Sequence, residues 1–145
     1  MEISLNSDSK PALAGARLLI VEDDFLLLTD LEEILLDAGA DVQACRTIAD
    51  ALLLAEKEVI SAAILDVRIG PNSIVPVARK LAARGIPFVF YTGQLGNDPV
   101  MAEWPNSRTI SKPALPQVIV KAVAELVRAQ IEPAQQLHSC RRSAC

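Results

Sequence analysis

Residues 17–24 read Arg-Leu-Leu-Ile-Val-Glu-Asp-Asp, an apolar run that stops abruptly on three acids. The run is too short for a helix, and its apolar residues are consecutive rather than alternating. A strand buried on both faces has this composition, because helices cover both sides of a parallel sheet. The pattern returns at 62–65, Ala-Ala-Ile-Leu, which stops on Asp66. It returns again at 88–91, Phe-Val-Phe-Tyr, which stops on Thr92-Gly93. Weaker strand candidates are 41–45 and 108–111, the second followed by Lys112-Pro113.

Helical patterns fill the spaces between these runs. Residues 25–38 place Leu27, Leu28, Leu31, Ile34, Leu35 and Ala38 at helical spacing, with Gly39 as the stop. Thr47 can cap a second helix running to about 58, with Asp50 three residues on as a partial capping box. A third is expected over 73–84, with Pro76 tolerated in its first turn and Gly85 ending it. A short fourth over 97–104 is stopped by Pro105, and a fifth over 115–131 has Pro116 near its start. Five βα units in succession predict an α/β fold: a doubly wound, five-stranded parallel sheet of flavodoxin-like (βα)5 type, strand order 2-1-3-4-5. Crossovers are expected to be right-handed. Residues 1–15 read as a flexible N-terminal segment, 16–131 as one domain and 132–145 as a flexible C-terminal tail.

The whole chain of 145 residues is the size of one domain, and its 51% hydrophobic content predicts a packed core. Aromatics are few, so that core is aliphatic. The formal charge of −4 argues against a nucleic-acid partner, which needs a clustered basic face; the only concentrated positive charge is Arg141-Arg142. No apolar run is long enough to span a membrane, and residues 1–14 lack the build of a signal peptide. Cys45, Cys140 and Cys145 have no metal-ligand spacing with one another or with His138. The expected location is the cytoplasm.

In the predicted topology the groups that follow each strand converge. Glu22-Asp23-Asp24, Asp66, Thr92 and Lys112 fall along one sheet edge, with the acids of the first and third strands side by side at the switch point. Two carboxylates about 4 Å apart repel by roughly 4 kcal/mol at an effective dielectric of about 20. Such a cluster calls for protonation or a divalent cation, and hard oxygen donors open to water suit Mg2+. An acidic metal pocket beside a lysine and a hydroxyl is suited to a phosphoryl group. A carboxylate can itself be the nucleophile there, and Asp66, the lone acid on the most central strand, is the candidate. Taken singly, a strand-end Asp also serves as a turn former, and acids at a helix start complement its dipole.

The pieces Leu18-Leu19-Ile20-Val21-Glu22-Asp23-Asp24, Ile64-Leu65-Asp66-Val67, Phe90-Tyr91-Thr92-Gly93 and Ser111-Lys112-Pro113 together resemble the receiver domain of two-component response regulators, over about residues 16–130. The resemblance implies a phosphorylation-dependent signalling switch. Asp66 would accept a phosphoryl group from a sensor histidine kinase or a histidine phosphotransfer protein. Asp23, Asp66 and the backbone carbonyl of Arg68 would ligate Mg2+, and Glu22 would act through metal-bound water, with a lesser role for Asp24. Lys112 would pair with the phosphoryl oxygens, its bond to Pro113 being cis, and Thr92 would move toward the phosphoryl group. The chain would be no enzyme. It would be a stand-alone receiver, monomeric or weakly dimeric, acting by contact with an unknown downstream protein or by onward phosphotransfer.

Three departures from the family pattern stand out. Thr109 occupies the position where the family often has a switch aromatic. Arg68-Ile69-Gly70-Pro71 replaces the usual Met-Pro after the phosphoacceptor. The fourth helix is bracketed by Pro99 and Pro105. These features keep open a receiver-like interaction module that works without phosphorylation. A haloacid-dehalogenase type of enzyme is disfavoured, since the position of its second acid holds Arg68. A flavodoxin-like cofactor binder is disfavoured because Glu22-Asp23-Asp24 would repel a phosphate.

Overall fold

The computed structural model describes residues 10–93 and 98–129. Strands β1 (Arg17–Val21), β2 (Asp41–Cys45), β3 (Ala62–Leu65), β6 (Phe88–Thr92) and β7 (Thr109–Ser111) form one sheet in the order β2-β1-β3-β6-β7. Every pairing in it is parallel. Counted among the sheet's own strands, this is the 2-1-3-4-5 order read from the sequence. Two further strands, β4 (Arg68–Ile69) and β5 (Asn72–Ser73), pair antiparallel as a separate small hairpin. The helices are α1 (Phe25–Asp37), α2 (Ile48–Lys57), α3 (Val75–Ala83), α4 (Val100–Glu103) and α5 over 116–129. None is long and apolar enough to cross a membrane among the described residues.

The consecutive apolar residues of the strands serve two cores at once. Leu19, Val21, Ala63, Leu65, Phe88 and Phe90 face α2 and α3, where Ala51, Ala55, Val77, Ala78 and Leu81 meet them. Leu18, Ile20, Ala62, Ile64, Val89 and Tyr91 face the other way, onto Leu28, Leu31 and Leu35 of α1 and Ile119 and Val123 of α5. Each fully buried Leu, Ile or Val among them contributes about 1.5–3 kcal/mol. The scarce aromatics are concentrated on the first face, where Phe88 packs edge-on against both Phe90 and Trp104 at 5.4 and 5.7 Å.

Three boundaries differ most from the sequence reading. Helix α3 begins at Val75 rather than 73, because Asn72–Ser73 are used in the hairpin; Pro76 still falls in the first turn. Helix α4 is only four residues, with Pro99 at its cap, and residue 97 lies outside the described residues. The same holds for the end of the fifth predicted helix and for the segments 1–9 and 132–145. The lead-in read over 1–15 is too long at its inner end. Leu13 is 2% exposed, and its N–H donates to the Ala38 carbonyl at 2.9 Å, so 11–16 belong to the packed unit.

Gly39 explains how that attachment fits. Its φ of +98° is left-handed, and a Cβ there would lie 2.7 Å from Pro11 Cβ. Only glycine gives both the helix stop and the room for the incoming chain. At the helix starts, Asp24 caps α1 by accepting the N–H groups of Leu26 and Leu27, and Thr47 caps α2 by accepting that of Asp50.

Candidate functional site

The sheet register brings the strand-end groups together. Val21 and Leu65 are partners across β1 and β3, so Glu22 and Asp66 leave adjacent strands at the same level. The ladder runs on past the strand ends: Glu22 N–H donates to the Cys45 carbonyl at 3.1 Å, and Asp66 N–H to that of Val21 at 2.9 Å. On the other side, Thr92 pairs with Ser111, and Lys112 N–H donates to the Thr92 carbonyl at 2.9 Å. These bonds hold four chemically active residues on one rim.

Glu22, Asp23 and Asp66 each present a carboxylate oxygen, all within 4.8 Å of one another. Lys112 reaches in from β7: its Nζ lies 2.9 Å from Glu22 Oε1 and 2.9 Å from Asp66 Oδ2. The same ammonium sits 5.7 Å from the centroid of the Tyr91 ring. The Lys112–Pro113 peptide bond is cis. Thr92 is buried at the end of β6. Asp23 is the more open acid, and its Oδ2 accepts the Gly70 N–H at 2.7 Å, which ties it to the turn of the β4–β5 hairpin. Asp24, the third acid of the run, turns away to cap α1 and is thereby committed to structure.

The electrostatics of this rim are unbalanced. Three carboxylates against one ammonium leave two negative charges uncompensated. Glu22 is 1% exposed; its Oε2 accepts the Asp24 N–H at 3.0 Å, while its buried Oε1 has no aligned hydrogen-bond donor despite the ammonium nearby. Burial pushes the Glu22 carboxyl up to about 7, against the opposing pull of Lys112. Burial alone would lower Lys112, but Glu22 and Asp66 outweigh it and hold the ammonium above its ordinary range. Three carboxylate oxygen donors and their excess of negative charge over Lys112 fit a hard divalent cation such as Mg2+.

Of two arginines near the rim, Arg46 escaped the sequence reading and Arg68 entered it only through its backbone carbonyl. Arg46, directly after β2, donates through Nε and Nη2 to the Asp23 carbonyl at 3.3 and 3.1 Å and lies over the Phe25 ring. It follows a strand end just as the other site residues do, and that position was the available signal. Arg68 offers its N–H to Asp66 Oδ1 at 3.4 Å, and its side chain pairs with Asp98 at 2.8 Å. Thr109 is exposed at the start of β7 and puts no ring near the site. At the opposite end of the sheet an open hollow of about 550 Å³ lies between Ile86, Phe88, Trp104 and Leu126, with no carboxylate in its lining.

No family model and no curated protein matches the sequence. Solved structures do match in shape. A response regulator receiver domain protein from Methanospirillum hungatei is 24% identical, with a TM-score of 0.73 over 81% of this chain and 98% of that one. A response regulator receiver protein from Sinorhizobium medicae is 27% identical, with a TM-score of 0.69 over 79% and 96%. The receiver domain of a sensor histidine kinase from Pseudomonas aeruginosa, which has a magnesium ion coordinated in its active-site cleft, is 22% identical, with a TM-score of 0.70 over 79% and 98%. In sheet order and in the share of both chains covered, the chain has the fold of a response-regulator receiver domain.

Proposed function

We propose that this protein is a phosphorylation-dependent switch of a two-component or phosphorelay system, with Asp66 as the phosphoacceptor. The observation that carries this reading is the Asp66 carboxylate itself: at the end of the central strand, 2.9 Å from Lys112 Nζ and grouped with Glu22 and Asp23. The donor is a phosphohistidine of a sensor kinase or phosphotransfer protein. An Asp66 oxygen bonds to phosphorus as the P–N bond breaks, and the imidazole departs with the electron pair and takes up a proton.

Lys112 is placed to follow the charge. Its ammonium, now on Asp66 Oδ2, pairs with a phosphoryl oxygen once Asp66 is esterified. The Thr92 hydroxyl donates to another, which draws the end of β6 toward the site. Asp23, Asp66 and the Arg68 carbonyl would hold Mg2+ directly and Glu22 through water. When bound there, the ion supplies neutralising charge for the phosphoryl oxygens. Output then passes by contact with a downstream protein or by onward phosphotransfer.

Incubation with acetyl phosphate and Mg2+ tests this. The expected result is a gain of one phosphoryl group in intact mass, absent in Asp66→Asn. A second reading, a module that works unphosphorylated, draws on the absence of an aromatic at Thr109. It predicts no mass gain and partner binding that is indifferent to Asp66→Asn.

A further inference from the structure

Arg68 touches two segments that leave the neighbouring strands β3 and β6 at the same edge. Through its backbone it lies against the phosphoacceptor, two residues away, with its N–H 3.4 Å from Asp66 Oδ1. Through its side chain it reaches Asp98, with Nε 2.8 Å from Oδ2. The two ends of that ion pair are unequal: the Arg68 side chain is 51% exposed and that of Asp98 only 5%. Asp98 in turn organises the start of α4. Its Oδ1 accepts the Val100 N–H at 3.0 Å, and its carbonyl accepts the Met101 N–H at 3.0 Å.

We propose that Arg68 is a charge relay, in which a phosphoryl group on Asp66 draws the guanidinium away from Asp98 and thereby releases the segment 98–103. The inference rests on Asp66 being the phosphoacceptor and names how its state leaves the site. Three physical points support it. A phosphoryl group adds negative charge two residues from a guanidinium already half in water, and arginine pairs strongly with such groups. Asp98, stripped of its partner, becomes a buried carboxylate held only by backbone N–H, an expensive state that the surrounding segment relieves by moving. A third point is the exposed Thr109, which puts no ring at the site to transmit the change. Arg68 is therefore a positioning residue with two alternative partners, and α4 is the element they bias.

The chain carries its own reporter. Trp104, its single tryptophan, is the C-cap of α4 and packs against Phe88 and Phe90. The experiment titrates the full chain with beryllofluoride and Mg2+, reading bound fluoride by 19F NMR and Trp104 emission in parallel. In the wild type both signals change together. In Asp98→Asn the bound 19F signal persists while the emission change falls to less than half; in Arg68→Met the emission change, scaled to the bound 19F signal, falls likewise. Arg79→Met, which breaks only the α3–α4 pair with Glu103, retains the full change. Bound fluoride with no emission change in the wild type, or a full change in both Arg68→Met and Asp98→Asn, would overturn the relay alone. No bound fluoride in the wild type would overturn the phosphoacceptor reading and the relay with it.

Discussion

Lys112 and Arg79 both pair with carboxylates at short range, 2.9 and 2.7 Å, yet they lie in opposite surroundings. The Lys112 side chain is 16% exposed and faces Glu22, at 1%; Arg79 and Glu103 are 65% and 39% exposed on the outer surface. Water screens the second pair and replaces it readily when it opens. The first has no such substitute, and it is also short of positive charge. Distance alone therefore says little about what an ion pair does. The excess of acid at the buried rim marks it as a place for a ligand, whereas the surface pair has nothing left to bind.

The sharpest test of that contrast removes the buried cation. Lys112→Met leaves Glu22 and Asp66 uncompensated and should cost roughly 3 kcal/mol at neutral pH without Mg2+, read by urea denaturation. A loss no larger than that of a surface substitution would erase the distinction. Next in size is the expected effect of added Mg2+. Mg2+ at a hundredfold its Kd should add about 2.7 kcal/mol to wild-type stability, seen as a raised melting temperature, and Asp23→Asn should blunt it. An identical response in both proteins would remove Asp23 from the site.

A smaller effect should come from Glu22→Gln in the absence of Mg2+. The Glu22 carboxyl, raised from 4.5 to about 7, favours the fold when protonated, so its contribution is complete below 4.5 and disappears as pH rises through 7. The neutral glutamine should therefore melt above the wild type at neutral pH, with the gap closing on acidification to about pH 4.5. A pH-independent gap would show that packing, rather than charge, is responsible. The smallest effect belongs to Arg79→Met, which should leave the melting temperature unchanged; a clear loss would mean the surface pair is structural after all.

The three central strands were legible because they are short and apolar at nearly every position, a composition that only a two-sided core rewards, whereas the edge strands β2 and β7 gave a weaker signal. The rim was legible for a related reason: each strand ends where its polar group begins, so Glu22, Asp66, Thr92 and Lys112 needed only a parallel topology to converge. What stayed hidden had no local signal. Two-residue strands at 68–69 and 72–73 are too short to show a period, and they displaced the start of α3. Leu13 is an apolar anchor in a lead-in without periodicity. The Arg68–Asp98 pair joins residues thirty apart in sequence. Asp24 looked like a third site acid, and its capping of α1 depends on backbone geometry that composition does not encode.

The hairpin turn has one more implication, for how the chain tolerates length changes. Gly70, at φ +60°, turns its N–H onto Asp23 Oδ2 at 2.7 Å, so an acid from one loop is moored to the backbone of another. An extra residue between Ile69 and Gly70 would put a different amide opposite Asp23 without altering a single carboxylate. Spacing here acts as a ligand-setting gauge, and an insertion at this surface turn would disarm the pocket as surely as mutating the acid.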